Sequence, residues 1–232
     1  MAQQTNVAKF FEQWEIYQSV IVNNYMFHSE IVDIVTNEID RFESLSILDL
    51  GCGDAYVVGK SITGDKKVDY HGVDISNASL QFARENLQGI NGAATLINND
   101  FVAELENIHR AFDIIISGYT LHHLEAEDKK RFFSSVAGVL AERGVFIFYD
   151  IEKEPKETPA DFNERCCNIV ANRWVSLGKK GTENTTTHMK ESDKPKTEAF
   201  HREGMKKAGL SAIRKVFRDK DDRYSVYIAE RN

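Results

Sequence analysis

The chain is poor in the features that would send it out of a cell or into a membrane. Its three cysteines, Cys52, Cys166 and Cys167, are odd in number with two adjacent. That is no disulfide framework, and it fits a reducing compartment. No segment approaches the roughly 20 apolar residues that a membrane-spanning helix needs. Met1 to Phe10 lack the basic start, apolar run and small-residue cleavage site of a secretory signal. The expected location is cytoplasmic, with no membrane partner. Basic clusters are equally scarce: Lys129-Lys130-Arg131, Lys179-Lys180 and Lys206-Lys207 are short and sit among acidic or helical positions. At a formal net charge of −7 there is no stripe to displace counterions, so no nucleic acid is expected as a partner. Also missing are internal repeats and a linker rich in Gly, Ser or Pro. No His/Cys/Asp cluster shows metal-ligand spacing, and no metal is assigned.

What is present suits one packed domain: 42% hydrophobic and 28% charged residues over 232 positions, at the upper end of single-domain size. Phe11, Trp14, Tyr17 and Ile21, in a run starting at Val7, and then Ile31, Ile34, Val35 and Ile39, recur at helical spacing. Two helices are therefore expected before the first strand. Ser46 to Leu50 is a short apolar run that stops at Gly51, as a buried parallel strand would. The pattern then alternates: helix Ala55 to Ile62, strand Val68 to Asp74, helix Asn77 to Leu87, strand Ala93 to Asn98, a short helix from Phe101, strand Phe112 to Ser117, helix Glu125 to Leu140, strand Gly144 to Asp150. Such alternation implies crossovers and a parallel sheet with helices on both faces.

Beyond Asp150 the pattern changes. Thr158-Pro159 offers an N-cap with proline at the first helical position, leading through Phe162, Cys166, Ile169, Arg173 and Leu177. Gly178 to Thr197 is polar and nearly free of aliphatic residues, which predicts an exposed or mobile loop. A helix from Phe200 to Ala208 closes at Gly209. Ala212 to Phe217 and Tyr224 to Ala229, joined by the charged turn Arg218 to Asp222, read as a hairpin added to the sheet.

The segment Leu48-Asp49-Leu50-Gly51-Cys52-Gly53-Asp54 carries the strongest chemical signal. Its glycines permit positive φ and remove the Cβ that would keep a ligand from the backbone. An ordinary strand-to-helix turn has the same look. A dinucleotide loop wants a third glycine where this chain has Tyr56, so a pyrophosphate is disfavoured. Asp49, at the carboxyl end of its strand, can hold an ammonium group. Asp74 ends the next strand about twenty residues on, where a carboxylate can accept both hydroxyls of a ribose. It could cap the following helix instead, but Ser76 is better placed for that.

At these residues the chain resembles the class I S-adenosylmethionine-dependent methyltransferases, whose first motif is similar to Leu48 to Gly53 and whose second-strand acid matches Asp74. The resemblance extends through Asn99-Asp100-Phe101, Phe112 to Ser117 and Leu121-His122-His123-Leu124, covering residues 45 to 150. It implies an α/β, doubly wound, mostly parallel seven-stranded sheet, Rossmann-like, with N-terminal helices and a lid insertion after the fifth strand. The whole of 1–232 is then one domain: helical cap 1–44, cofactor-binding core 45–150, lid 151–203 and terminal strands 204–232. The implied cofactor is S-adenosyl-L-methionine. Asp49 and the Gly51, Cys52 and Gly53 backbone would meet its methionine part, with Ser117 beside it. Asp74, with Ile75, would take the ribose, and Asp100 and Phe101 the adenine. Asp54 and Tyr56 stand where the family often has smaller residues.

Aromatic faces can stabilise a sulfonium, and Tyr17, Tyr25, Phe27, Tyr119 and Trp174 are available; Tyr17 and Trp174 read more readily as helix core. Tyr25 joins the cofactor-binding candidates. Tyr119, His122 and His123 follow the fourth strand, where an open α/β sheet presents reactive side chains, and a histidine there can take a proton from a hydroxyl or amine. His28 joins them as a catalytic candidate, while His188 in the polar segment has no assigned place. Cys166-Cys167 reads as packing. The expected activity is methyl transfer to an O or N nucleophile of a small molecule. The alternatives are an NAD-dependent oxidoreductase, disfavoured by Tyr56 in place of the third glycine, and a non-catalytic cofactor-binding regulator.

Overall fold

In the computed structural model, which describes residues 14–231, the apolar runs pair side by side. The sequence-read positions from Val7 through Phe11 lie outside the described residues. Chain order is α1 (14–22), α2 (His28–Ile39), β1 (Ser44–Leu50), α3 (Tyr56–Ser61), β2 (Lys67–Asp74), α4 (Asn77–Asn86), β3 (Asn91–Asn98), α5 (Phe101–Asn107), β4 (Phe112–Gly118) and α6 (Ala126–Val139). There follow β5 (Leu140–Ile151), α7 (Pro159–Arg173), α8 (Gly178–Ser192), α9 (Glu198–Lys207), β6 (Ala212–Arg218) and β7 (Tyr224–Glu230). The seven strands form one sheet in the order β3-β2-β1-β4-β5-β7-β6. All pairs from β3 to β5 are parallel, and the terminal hairpin closes the sheet antiparallel to β5. β1 and β4 are the switch point, because the chain winds outward from them in opposite directions and leaves a crevice at their carboxyl ends.

Side chains alternate across a strand, so each central strand feeds two cores. Ile47, Ile114, Ile116 and Ile147 pack with Ile31, Val35, Val58 and Leu80 on one face. Leu48, Leu50, Ile115, Phe146 and Phe148 pack with Phe132, Phe133, Val136 and Met205 on the other. A third cluster joins Val20, Phe162, Cys166, Val170, Trp174 and Met189, binding α1, α7 and α8 together. Both paired cysteines are free and buried in it, as packing residues.

Two sequence expectations are corrected. β5 starts at Leu140, four residues before Gly144, and takes the last residue assigned to the preceding helix. The segment expected as a loop is mostly α8, a helix of 15 residues. Its polarity misleads because only a narrow stripe is covered: Met189 is buried, Gly181 lies against Leu177 and Ile16, and Asn163 donates to the Met189 carbonyl at 3.0 Å. Docking on α7 outweighs the weak helix propensity of Thr185, Thr186 and Thr187. The capping box at Thr158 and Asp161 is present as the sequence suggests.

Just past the crevice, buried Glu152 ties β5 to the hairpin. It accepts from Lys215 Nζ at 2.8 Å and Ser225 Oγ at 3.2 Å, and also from Arg218 and Tyr227. Burial alone would raise its pKa, but the nearby His201 ring, 3.8 Å away, and hydrogen bonds from Lys215 and Tyr227 outweigh that and hold it at about 2. Its contribution is therefore complete above the usual carboxylate range and fades as pH falls toward 2. Glu152→Gln is expected to cost about 3 kcal/mol at neutral pH. Urea denaturation at pH 7 and pH 3 checks this, and the loss must shrink at the lower pH.

Candidate active site

The turn after β1 is shaped by two glycines with φ +76° at Gly51 and +54° at Gly53. A Cβ on Gly51 would come within 2.1 Å of Thr120 Cγ2, so the β4 turn can approach only because that atom is absent. A Cβ on Gly53 would meet nothing within 4 Å, and this backbone faces open space. The loop is tethered from the side. Gly51 and Cys52 N–H donate to the Val73 carbonyl at 2.8 and 3.0 Å, and Gly53 N–H donates to Asp74 Oδ2 at 2.8 Å.

Ser76 N–H donates to Asp74 Oδ1 at 2.8 Å. Each Asp74 oxygen thus has one of these donors and a remaining lone pair, which is the acceptor set two ribose hydroxyls require. The capping of α4 falls to Ser76, which accepts from Ser79 N–H. Ile75 beside it is 76% exposed, an apolar side chain held in the open at the crevice. Asp100 caps α5 with Oδ1 alone, accepting from Val102 and Ala103 at 3.0 and 2.9 Å. Its other oxygen is clear of these caps and suits an exocyclic amine. Phe101 is half-buried, edge-on to Phe132. Ser117 is buried at the end of β4 and shares a 2.9 Å hydrogen bond with Thr120.

Three carboxylates surround the loop. Asp49 is buried and accepts from Tyr70 at 2.9 Å. Burial lifts its pKa to about 7, and the charges of Asp74 and Asp54 add to the rise. Among the described residues no cation forms an ion pair with it. Asp54 is buried too, accepting from Tyr17 at 3.0 Å and Tyr56 N–H at 3.1 Å, and burial raises its pKa. Acids so gathered repel a pyrophosphate and favour a ligand carrying positive charge. An ammonium, a ribose and a sulfonium together fit this donor and acceptor set.

The four catalytic candidates separate into two groups. His28, opening α2, is 4% exposed, with its ring edge-on to Tyr17, Tyr56 and Tyr119 at 6.3, 6.1 and 5.8 Å between centroids. Its Nδ1 is buried without a hydrogen-bond partner, and burial lowers its pKa to about 4. Tyr119 stands at φ +53° and donates its hydroxyl to the Met26 carbonyl, which ties the segment before α2 to the turn after β4. His122 and His123 turn the other way. His122 Nδ1 is 2.5 Å from Asp150 Oδ1, and its backbone N–H donates to Asp150 Oδ2 at 2.9 Å. Burial disfavours the charged ring, but Asp150 outweighs burial and raises its pKa. Desolvation of its half-covered ring, together with its histidine neighbours His122 and His188, pushes His123 down to about 4.

Tyr25 is committed elsewhere: its ring stacks on Trp174 at 5.0 Å and its hydroxyl accepts from Ser176 N–H. The sequence reading passed over Asp150, although a carboxylate ending β5 follows the same rule that singled out Asp74. It also passed over Asp193, which no local pattern marks.

Residues 47–144 match a family model described as a methyltransferase domain. An uncharacterized methyltransferase of Oceanobacillus iheyensis is 25% identical over 151 residues, covering 63% of this chain and 68% of that protein. Carboxy-S-adenosyl-L-methionine synthase 1 of Yersinia pseudotuberculosis is 22% identical over 181 residues, covering 73% and 75%. Among solved structures, magnesium protoporphyrin IX methyltransferase of Synechocystis with bound SAH superposes with a TM-score of 0.65 at 17% identity, over 97% of this chain and 95% of that one.

Proposed function

We propose that the chain is a class I S-adenosylmethionine-dependent methyltransferase that methylates an oxygen or nitrogen nucleophile of a small molecule, with His28 as proton acceptor; the methyltransferase-domain match over residues 47–144 supports the reaction class. The observation that carries this reading is the unpartnered, neutral His28 nitrogen enclosed by three tyrosines beside the acid-lined glycine loop. Asp49, the Gly51 to Gly53 backbone, Asp74, Ile75, Asp100, Phe101 and Ser117 would hold the cofactor. When bound, S-adenosylmethionine supplies a methyl carbon already activated by a positive sulfur. The chain's own work is then alignment, exclusion of water and removal of one proton. The tyrosine faces favour positive charge near the transferred carbon, and His28 Nδ1 receives the proton that the attacking hydroxyl or amine gives up. A histidine this deeply enclosed reaches only a compact acceptor.

Incubating the chain with methyl-labelled cofactor and a panel of hydroxyl and amine metabolites tests the reading. Label should pass to a small product. Label passing only to macromolecules, with cofactor binding intact, would overturn it.

Asp49 gives a second handle. An ammonium arriving beside it requires the charged carboxylate, so cofactor affinity should fall as pH drops below about 7, by at most about tenfold per unit. Calorimetry in two buffers of different ionisation enthalpy should register proton release near pH 6. Asp49→Asn should bind weakly and lose that release.

A further inference from the structure

The fold assembles a second set of ligating side chains that methyl transfer leaves unused. His122 and His123 lie in the 3-10 turn Leu121–His123 after β4, while His188 lies near the end of α8 and Asp193 is that helix's C-cap residue. The two segments are joined by backbone, Lys194 N–H donating to the His122 carbonyl at 2.8 Å. Asp193 Oδ1 stands 3.6 Å from His122 Nε2, 3.9 Å from His123 Nδ1 and 3.9 Å from His188 Nε2. None of these is a hydrogen bond. The Asp193 side chain is 6% exposed, and its Oδ1 is buried with no hydrogen-bond partner. A buried carboxylate oxygen left without a partner is costly, and here it faces three imidazoles across a gap.

We propose that His122, His123, His188 and Asp193 form a binding site for a divalent transition-metal ion. Metal–nitrogen and metal–oxygen bonds of about 2.0–2.2 Å in a tetrahedral arrangement place neighbouring donor atoms roughly 3.4 Å apart. The three spacings to Asp193 Oδ1 are slightly wider than that; the donor atoms of His122, His123 and Asp193 all lie within 4.8 Å of one another, and His188 meets this group through Asp193 and would turn inward to complete it. Three imidazoles and one carboxylate suit zinc, cobalt or nickel, whereas magnesium and calcium prefer oxygen donors throughout. His122 is oriented as metal-bound histidines are: Nδ1–H donates to the Asp150 carboxylate, leaving the Nε2 lone pair toward the gap. The His123 and His188 side chains are 41% and 58% exposed, so an ion reaches the site from solvent. Sequence spacing hid the cluster because its members come from the turn after β4 and from the far end of α8, well separated in the chain. Its consequence is mechanical, since the ion would fasten α8 to the carboxyl edge of the sheet.

The test uses the full chain without an affinity tag. Zn(II) is titrated against a competing chelator, and Co(II) binding is followed by visible absorption. One ion per chain is expected, with the intense visible band of four-coordinate cobalt. His123→Ala and His188→Ala, both at exposed positions, should each weaken Zn(II) by about 100-fold or more, and Asp150→Asn, which only orients His122, by about 10- to 100-fold. Hydrogen exchange across α8 should slow when Zn(II) is added to the unaltered chain and not to His188→Ala. Absence of stoichiometric binding would overturn the proposal and leave a proton shared among Asp150, His122 and Asp193. Binding that survives the double substitution of His123 and His188 would overturn it too. None of these readouts involves methyl transfer, so they stand or fall apart from the assignment of His28.

Discussion

Gly53→Val is expected to weaken S-adenosylmethionine binding by about 100-fold or more, equivalent to about 3 kcal/mol, while leaving the sheet folded. Gly53 faces open space at the glycine loop, where an added Cβ meets no atom within 4 Å, so a branched side chain is expected to fill volume the cofactor would occupy. The substitution also forces a β-branched residue to φ +54°, which costs about 1–2 kcal/mol of stability. Gly53→Ala separates the two effects, because it carries the backbone strain with far less bulk. Calorimetry with the demethylated product, alongside thermal melts without ligand, reads both quantities. Near-normal affinity in the valine variant would place the cofactor elsewhere.

The second large effect concerns His28. His28→Phe keeps an aromatic ring among Tyr17, Tyr56 and Tyr119 but removes the free nitrogen, and kcat should fall by about 10²- to 10⁴-fold with little change in cofactor affinity. The pH profile is the sharper readout. Burial holds this imidazole at about 4, so turnover should show no acid limb from it near 6.5, where an exposed histidine would titrate. The unfolded chain takes up that proton below 6.5 and the folded chain refuses it until about 4. Stability from this group is therefore lost as pH falls through that window. An acid limb near 6.5 that persists in His28→Phe would move proton removal to another residue.

Legibility in the sequence followed the range of the forces involved. The strands and the glycine turn were readable because their causes are local: apolar runs closed by Gly51, and backbone angles that a Cβ resists. The capping box at Thr158 was readable for the same reason. The helix after Leu177 was not, since its threonines and glycines argue against helix and contacts such as those with Asn163 and the α1–α7 cluster hold it. His28 could be named as an unplaced histidine, but its lack of a partner is a property of packing. Asp193 had no signal at all, because its meaning lies in three histidines brought to it by the fold.

The tethers on the glycine loop have a kinetic side. Val73 and Asp74 hold three successive backbone N–H groups of Gly51, Cys52 and Gly53 in a fixed arrangement. That loop gives up its freedom once, when the chain folds, and not anew at each encounter with a ligand. Association at this edge is then governed by diffusion and by the pull of three carboxylates on a cation, and it slows as added salt screens them. If this turn holds the cofactor as proposed, a slow step in the cycle is expected from the helices beside it rather than from the turn itself.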